Sequence, residues 1–201
     1  MTVTRRNAIK LMGAGWGLLG TAALGLAGPK PALAATPECN DEPTERMIEG
    51  PYFTPNSPER RVLREAATIG APLTITGRVL DTDCRPIAHA LLDVWSADGD
   101  GVYDNAGYRL RGHQYTDESG SFRIETVKPG FYGPRFARRT PHIHVKVKGE
   151  RTPLLTTQLY FPDEALNAGD DLFRESLLMD VSTAANGSLA ARFDFVLTLE
   201  S

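Results

Sequence analysis

Cysteine is nearly absent from this chain, with two in 201 residues, Cys39 and Cys84. That caps the covalent cross-links at one and excludes a scaffold stapled by several disulfides. A positive charge excess is missing too. Lys and Arg number 22 against 25 Asp and Glu, and no segment is long and basic enough to reverse the balance locally. This argues against nucleic acid or an anionic membrane surface as partner. There is no internal repeat and no low-complexity linker. The run Asp98-Gly-Asp-Gly101 begins like a calcium loop but lacks the later acidic positions and the closing Glu, so it reads as a tight turn.

A long apolar run, Leu11 to Gly28, lies in an N-terminal segment that does not read as part of a fold. Thr4-Arg5-Arg6-Asn-Ala-Ile-Lys10 has the form of a twin-arginine export signal, and Ala32-Leu33-Ala34 is a small-x-small cleavage site. Residues 1–34 are expected to be a cleaved leader and residues 35–201 the exported domain, periplasmic or extracellular, with no stable membrane association afterwards. The alternative is an uncleaved anchor, since about 18 mostly apolar residues just span a bilayer. The leader carries Arg5, Arg6, Lys10 and Lys30 and no acid. The 167 residues left would hold 18 cations against 25 acids, a net charge of −7, in a length that suits one domain with a real core. In an exported chain the two cysteines default to a Cys39–Cys84 disulfide. Closing a loop of about 45 residues would contribute roughly 4 kcal/mol in the chain-entropy model. Two free thiols are the other reading, because twin-arginine cargo folds in a reducing compartment. Oligomeric state has no signature in the sequence.

After the leader the pattern is all-β. Alternating or apolar runs at Leu73–Leu80, Ile87–Trp95, Ser121–Thr126, His142–Val147, Leu154–Phe161 and Leu189–Leu199 are separated by Gly, Pro and Asp turns. Short strands with regular turn signals predict a single β-sandwich, preceded by an extended arm over residues 35–48. One helix is expected from Asp163 to Leu178, with Asp163 as N-cap; Asn167-Ala-Gly169 offers the alternative of a loop.

The chemistry gathers around Arg139-Thr-Pro-His142-Ile-His144. Two imidazoles at i and i+2 on a strand share a face and can converge on one metal. Upstream, Gly101-Val-Tyr103 and Pro129-Gly-Phe-Tyr132-Gly each set a tyrosine beside turn glycines. Phenol has a pKa of about 10, so tyrosinate ligation at neutral pH needs a strongly Lewis-acidic ion. Zn²⁺ prefers Cys, His and carboxylate, and Ca²⁺ and Mg²⁺ prefer carboxylate and carbonyl oxygens. Fe³⁺ fits this set best, because two tyrosinates and a hydroxide cancel its charge.

In their order along the chain, these motifs resemble the intradiol ring-cleavage dioxygenases, the group that includes protocatechuate 3,4-dioxygenases and catechol 1,2-dioxygenases. The resemblance runs from Glu49-Gly-Pro-Tyr52-Phe through Leu92-Asp-Val-Trp95-Ser, Gly101-Val-Tyr103, Arg111-Gly and Thr116-Asp-Glu-Ser-Gly-Ser-Phe122. It continues through Pro129-Gly-Phe-Tyr132, Arg139-Thr-Pro-His142-Ile-His144 and Thr157-Gln158-Leu-Tyr160-Phe161. It implies a transthyretin-like (prealbumin-like) sandwich and a non-haem Fe(III) site held by Tyr103, Tyr132, His142 and His144. The implied reaction opens a catechol between its two hydroxylated carbons with both atoms of O₂, giving a cis,cis-muconate-type product. By the same resemblance Tyr132 is the tyrosinate that leaves on substrate binding and accepts a proton. Arg139 sits over the ring, and Gln158 points at the substrate or oxygen pocket. Tyr52 would wall that pocket or serve as a core aromatic. Tyr108 and Tyr115 lie outside the Gly-x-Tyr context, and His89 and His113 outside the motifs, so these four read as structural or surface residues. Only nine residues separate Tyr132 from His142, fewer than the family resemblance leads one to expect, so a short loop and an open pocket are predicted.

A competing resemblance is the inert carboxypeptidase-regulatory or transthyretin-like sandwich module, which binds ligands or acts as a spacer. Gly77-x-Val-x-Asp81, Pro86-Ile-x-x-Ala90, Thr116-Asp-x-x-Gly120-x-Phe122 and Pro129-Gly-x-Tyr132 fit it, with Tyr132 as the aromatic that ends a hairpin. It leaves His142, His144, Arg139 and Gln158 without a role.

Overall fold

The computed structural model describes residues 42–134 and 137–200. The expected leader and Cys39 fall outside them, so the expected pairing of Cys39 with Cys84 lies outside the described residues. Among the described residues no cysteine is free and no helix is long and apolar enough to cross a membrane.

Among the described residues nine strands form two sheets. The first is built on β1 (Pro72–Asp81), which pairs antiparallel with β4 (Ser121–Val127) and parallel with β8 (Leu189–Arg192) and β9 (Phe195–Leu197); β7 (Asp180–Thr183) extends it beyond β8. The second runs β3 (Arg111–Tyr115), β2 (Leu91–Trp95), β5 (His142–Lys148), β6 (Leu155–Tyr160), all antiparallel. The strand period of two decides what each face carries. Leu92, Val94, Ile143, Val145, Val147 and Leu159 meet Ile75, Val79, Phe122, Ile124 and Phe195 of the first sheet in the main core. The alternate residues of the second sheet, among them Trp95, Arg111, His142, His144, Gln158 and Tyr160, take the other face.

On that face register makes a row. Arg111 lies opposite Trp95, Trp95 opposite His144, and His144 opposite Gln158, while His142 faces Tyr160. Directly paired residues share a face, so one end of the sheet presents this row to the segments that cover it.

Three predicted elements come out differently. The expected helix Asp163–Leu178 is absent, leaving single 3₁₀ turns at Asn167–Gly169 and Glu175–Leu177. Asp163 has a φ of 60°, which no N-cap of a right-handed helix adopts, and the loop alternative is the one realised. The strand expected from Ile87 begins only at Leu91, because His89 turns with a φ of 53°. The long final strand divides at Phe193-Asp194, where the Asp194 carboxylate accepts the Arg78 N–H at 2.8 Å in place of a ladder carbonyl. Strands β3 and β7 lack an alternating pattern and were not expected.

Candidate metal centre

His142 and His144 open β5, both nearly fully buried. The Thr140 carbonyl lies 2.6 Å from His142 Nδ1. A carbonyl only accepts, so Nδ1 carries the proton and Nε2 is left with a bare lone pair. That Nε2 faces His144 Nε2 at 3.2 Å. Burial, with Arg139 nearby, lowers the His142 pKa to about 4, and burial with the neighbouring His142 lowers that of His144 well below the usual range. Two neutral imidazoles therefore point nitrogens at each other. His144 Nδ1 is buried without a hydrogen-bond partner among the described residues, so either tautomer of His144 leaves a ring nitrogen unsatisfied. Such orphans are costly inside proteins.

Tyr103 and Tyr132 complete the ring. Tyr103 follows the Asp98 turn, in which the carboxylate accepts the N–H groups of Asp100 and Val102 at 3.0 Å each. That geometry is the tight turn expected from the sequence. Tyr132 is paired with Arg139 by a two-bond bridge, Arg139 N to Tyr132 O at 2.8 Å and Tyr132 N to Arg139 O at 3.3 Å. Ring centroids lie 5.4 Å apart for Tyr103 and Tyr132, 5.6 Å for Tyr132 and His142, 4.8 Å for the two histidines, and 6.3 Å for Tyr103 and His144. The four residues singled out in the sequence thus come together. Tyr108 and Tyr115 stay exposed, the first donating to the Pro55 carbonyl. His113 is tied to the Ser57 carbonyl and His89 to Glu118 at the surface.

The Tyr103 hydroxyl is buried with no partner among the described residues, and burial, reinforced by Tyr132, pushes its pKa far up. Burial also raises that of Tyr132, against the pull of the Arg139 guanidinium. Neither phenol would ionise here alone. The facing Nε2 atoms of His142 and His144, an orphaned phenol and a second phenol gathered around them are a donor set that fits a strongly Lewis-acidic cation, and ferric iron above the other common metals.

Arg139 is held at three points. Its Nε donates to both Asp170 oxygens at 3.0 and 2.9 Å, and its Nη2 to Gln158 Oε1 at 2.7 Å and, at longer range, to the Tyr160 hydroxyl. Burial opposes its charge, but the Asp170 hydrogen bonds and charge outweigh this and raise its pKa. Gln158 is fully buried and its amide is engaged on both sides, with Nε2 donating to the Ile48 carbonyl at 3.0 Å. The sequence places it toward a ligand pocket; its hydrogen bonds run to Arg139, to the Tyr160 hydroxyl at 2.8 Å and to the Ile48 carbonyl.

Several neighbours carried only weak sequence signals. Trp95 stacks on His144 at 4.7 Å with rings 6° from parallel. Tyr52 stacks on Tyr103 at 4.4 Å and meets Tyr132 edge-on at 5.7 Å. Gly50, at a φ of 74°, lies so close that a Cβ would meet His144 Cε1 at 3.4 Å. Arg111, almost wholly buried, fastens this segment by donating to the Tyr52 carbonyl at 2.6 Å and to the Asp104 carbonyl beside Tyr103. Asp170 had no signal at all, lying in a stretch read as helix.

A family model described as dioxygenase matches residues 48–199. The hydroxyquinol 1,2-dioxygenase of Rhizobium sp. (strain MTP-10005) is 31% identical over 179 residues, covering 76% of this chain and 60% of its own. The protocatechuate 3,4-dioxygenase beta chain of Burkholderia cepacia is 30% identical, covering 70% of this chain and 64% of its own. The chain thus spans about three fifths of the length of the curated relatives it matches. Among solved structures, the dioxygenase domain of a dioxygenase carbohydrate-binding protein fusion from Streptomyces sp. SirexAA-E is 47% identical. It superposes with a TM-score of 0.74 over 79% of this chain and 99% of that one.

Proposed function

The chain belongs to the intradiol ring-cleavage dioxygenases, and from that membership we propose that it cleaves a catechol-type ring between the two hydroxylated carbons with O₂, at a ferric centre. The observation that carries the reading is the convergence of Tyr103, Tyr132, His142 and His144, with bare or orphaned donor atoms on both His and on Tyr103. His142 and His144 would hold the metal through ring nitrogens, and Tyr103 and Tyr132 as phenolates. Bound there, Fe³⁺ supplies Lewis acidity toward phenolic oxygens and draws electron density through them so that a ring carbon can react with dioxygen.

The protein's own residues divide the remaining work. A catechol must lose two protons on binding. Tyr132 is the more exposed of the two tyrosines and touches Arg139, so it is the phenolate free to leave and accept one of them. Tyr103, buried under Tyr52, stays. Arg139 presents a guanidinium locked in orientation toward the Tyr132 oxygen, where it can stabilise negative charge that develops on the substrate. Trp95, Gly50 and Tyr52 wall the centre and restrict water. Gln158 acts through Arg139, whose Nη2 it holds. A cis,cis-muconate-type acid is the expected product, and no external reductant enters.

The purified, iron-loaded protein should be red-brown from tyrosinate-to-iron charge transfer, and with catechol under ¹⁸O₂ it should form a muconate carrying both labelled atoms. Stoichiometric zinc with no visible band after iron loading would sink the metal assignment. A band that shifts with catechol but yields no ring-opened product would leave a binding protein. We further propose that residues 1–34 form a twin-arginine leader removed on export and that Cys39 and Cys84 pair afterwards; the signal and cleavage motifs and the turn position of Cys84 support this.

A further inference from the structure

Between β6 and β7 the chain makes a loop whose one deeply placed carboxylate, Asp170, touches no proposed ligand directly. Its side chain is 2% exposed, and every bond it makes is directed at the centre or at its own loop. The two oxygens share Arg139 Nε–H at 3.0 and 2.9 Å. Oδ2 also accepts Thr140 N–H at 2.9 Å, and Oδ1 accepts Leu172 N–H at 3.0 Å. A neutral acceptor would satisfy the two backbone donors, so the charge answers to Arg139. With Nε held by Asp170 and Nη2 held by Gln158, the planar guanidinium is fixed at two points and cannot swing on its stem. The second arm of the contact runs through the backbone. Thr140, whose N–H Asp170 holds, gives its carbonyl to His142 Nδ1 and its hydroxyl to Asn167 of the same loop at 2.7 Å.

We propose that Asp170 is the positioning residue of the centre, fixing the Arg139 guanidinium beside Tyr132 and, through Thr140, fixing the tautomer and ring orientation of His142. Partners one shell out from a metal-binding imidazole set which nitrogen is bare and how the ring points. Here a single carboxylate does this and aims the cationic group as well. The proposal rests on the roles given to Arg139 and His142 above.

The test uses the full chain loaded with iron, in wild type and in Asp170→Asn, Arg139→Ala and the double variant. Asp171→Asn is the control, since Asp171 is an exposed neighbour of equal charge. Asp170→Asn should lower kcat for catechol by roughly 10–100-fold, less than the ~10²–10³ of a lost electrostatic donor, with KM changed less than about threefold. A purely structural role would not give that split. The visible band should shift, and a chelator should strip iron roughly 10–100 times faster, as for other outer-shell changes. The double variant should lose less on top of Arg139→Ala than Asp170→Asn loses by itself, because the arm through Arg139 is already gone and only the arm through Thr140 remains. Asp171→Asn should change nothing. Rates that multiply in the double variant, or a wild-type band and kcat in Asp170→Asn, would overturn the proposal. If Asp170→Asn does not fold, Asp170→Glu keeps the charge but displaces it by one methylene and should give a smaller loss of the same kind; full activity there refutes the positioning role. If wild type opens no catechol, the catalytic reading fails by itself, while band position and iron release still decide the role of Asp170.

Discussion

A phenol and an imidazole both become harder to ionise when buried, which leaves the imidazoles here ready to ligate and the phenols dependent on a cation to give up their protons. Burial lowers the His142 pKa to about 4, with Arg139 adding to the effect, so the ring is neutral at neutral pH and can ligate. The consequence for stability follows from linkage. A histidine whose folded pKa lies below its unfolded value of about 6.5 binds more protons unfolded than folded in the window between them. Its contribution is intact above about pH 6.5 and is lost as pH falls toward 4. The loss is roughly 3 kcal/mol at most, at 1.36 kcal/mol per unit. Urea titrations of the metal-free protein at pH 7, 5.5 and 4.5 should show the midpoint falling, and His142→Asn should flatten that fall. The tyrosines differ in exposure, and that difference predicts different outcomes. Tyr132→Phe should retain iron with a shifted band and turn over at least about tenfold more slowly, since a positioned proton acceptor contributes about 10²–10⁴. Tyr103→Phe should lose most of the colour. Equal effects of the two on colour and rate would remove the distinction drawn between them.

Elements bring these residues together by pairing, and the turns that carry the tyrosines are built with no spare room. Gly101 has a φ of 78°, and a Cβ there would come within 2.1 Å of the Phe131 carbonyl. The turn before Tyr103 thus presses directly on the segment that carries Tyr132. Gly101→Ala must adopt an unfavourable backbone and push the two turns apart. The expected cost is about 1–3 kcal/mol, read as a lower thermal midpoint. Iron affinity should fall with it, measured by competition with a chelator. A variant with normal affinity and a lower midpoint would mean that the spacing of the tyrosines does not depend on this contact. The same reasoning explains the missed loop after β6. Its residues 163–178 have helical composition, but Asp163 at φ 60° and the claims of Asp170 and Asn167 on Arg139 and Thr140 hold it open. Local propensity lost to tertiary hydrogen bonding.

Across the described residues, two sheets bury one apolar face each, and the second sheet reserves its other face for the centre, covered by the segment 48–53 and the surrounding loops. Export and the Cys39–Cys84 pairing belong to this scale as proposals. Secreted protein should begin after Ala34 and weigh about 2 Da less than its reduced form, while a chain with Arg5→Lys and Arg6→Lys should stay in the cell with its leader intact. Intact-mass measurement of both fractions checks this; secretion of the doubly substituted chain at the wild-type level would exclude the twin-arginine route. The sequence by itself determined the strand-rich class, the sandwich and the four candidate ligands. Those depend on local signals, since strand alternation, turn glycines and a His-x-His spacing act within a few residues. Only tertiary structure decided that Trp95 lies flat on His144, that Gln158 and Asp170 hold Arg139 from two sides, and that Arg111 ties the arm to the Tyr103 turn. Each of those contacts joins segments brought together by strand register or by a long loop, and a buried polar side chain chooses its partner from what the fold delivers rather than from its neighbours in sequence.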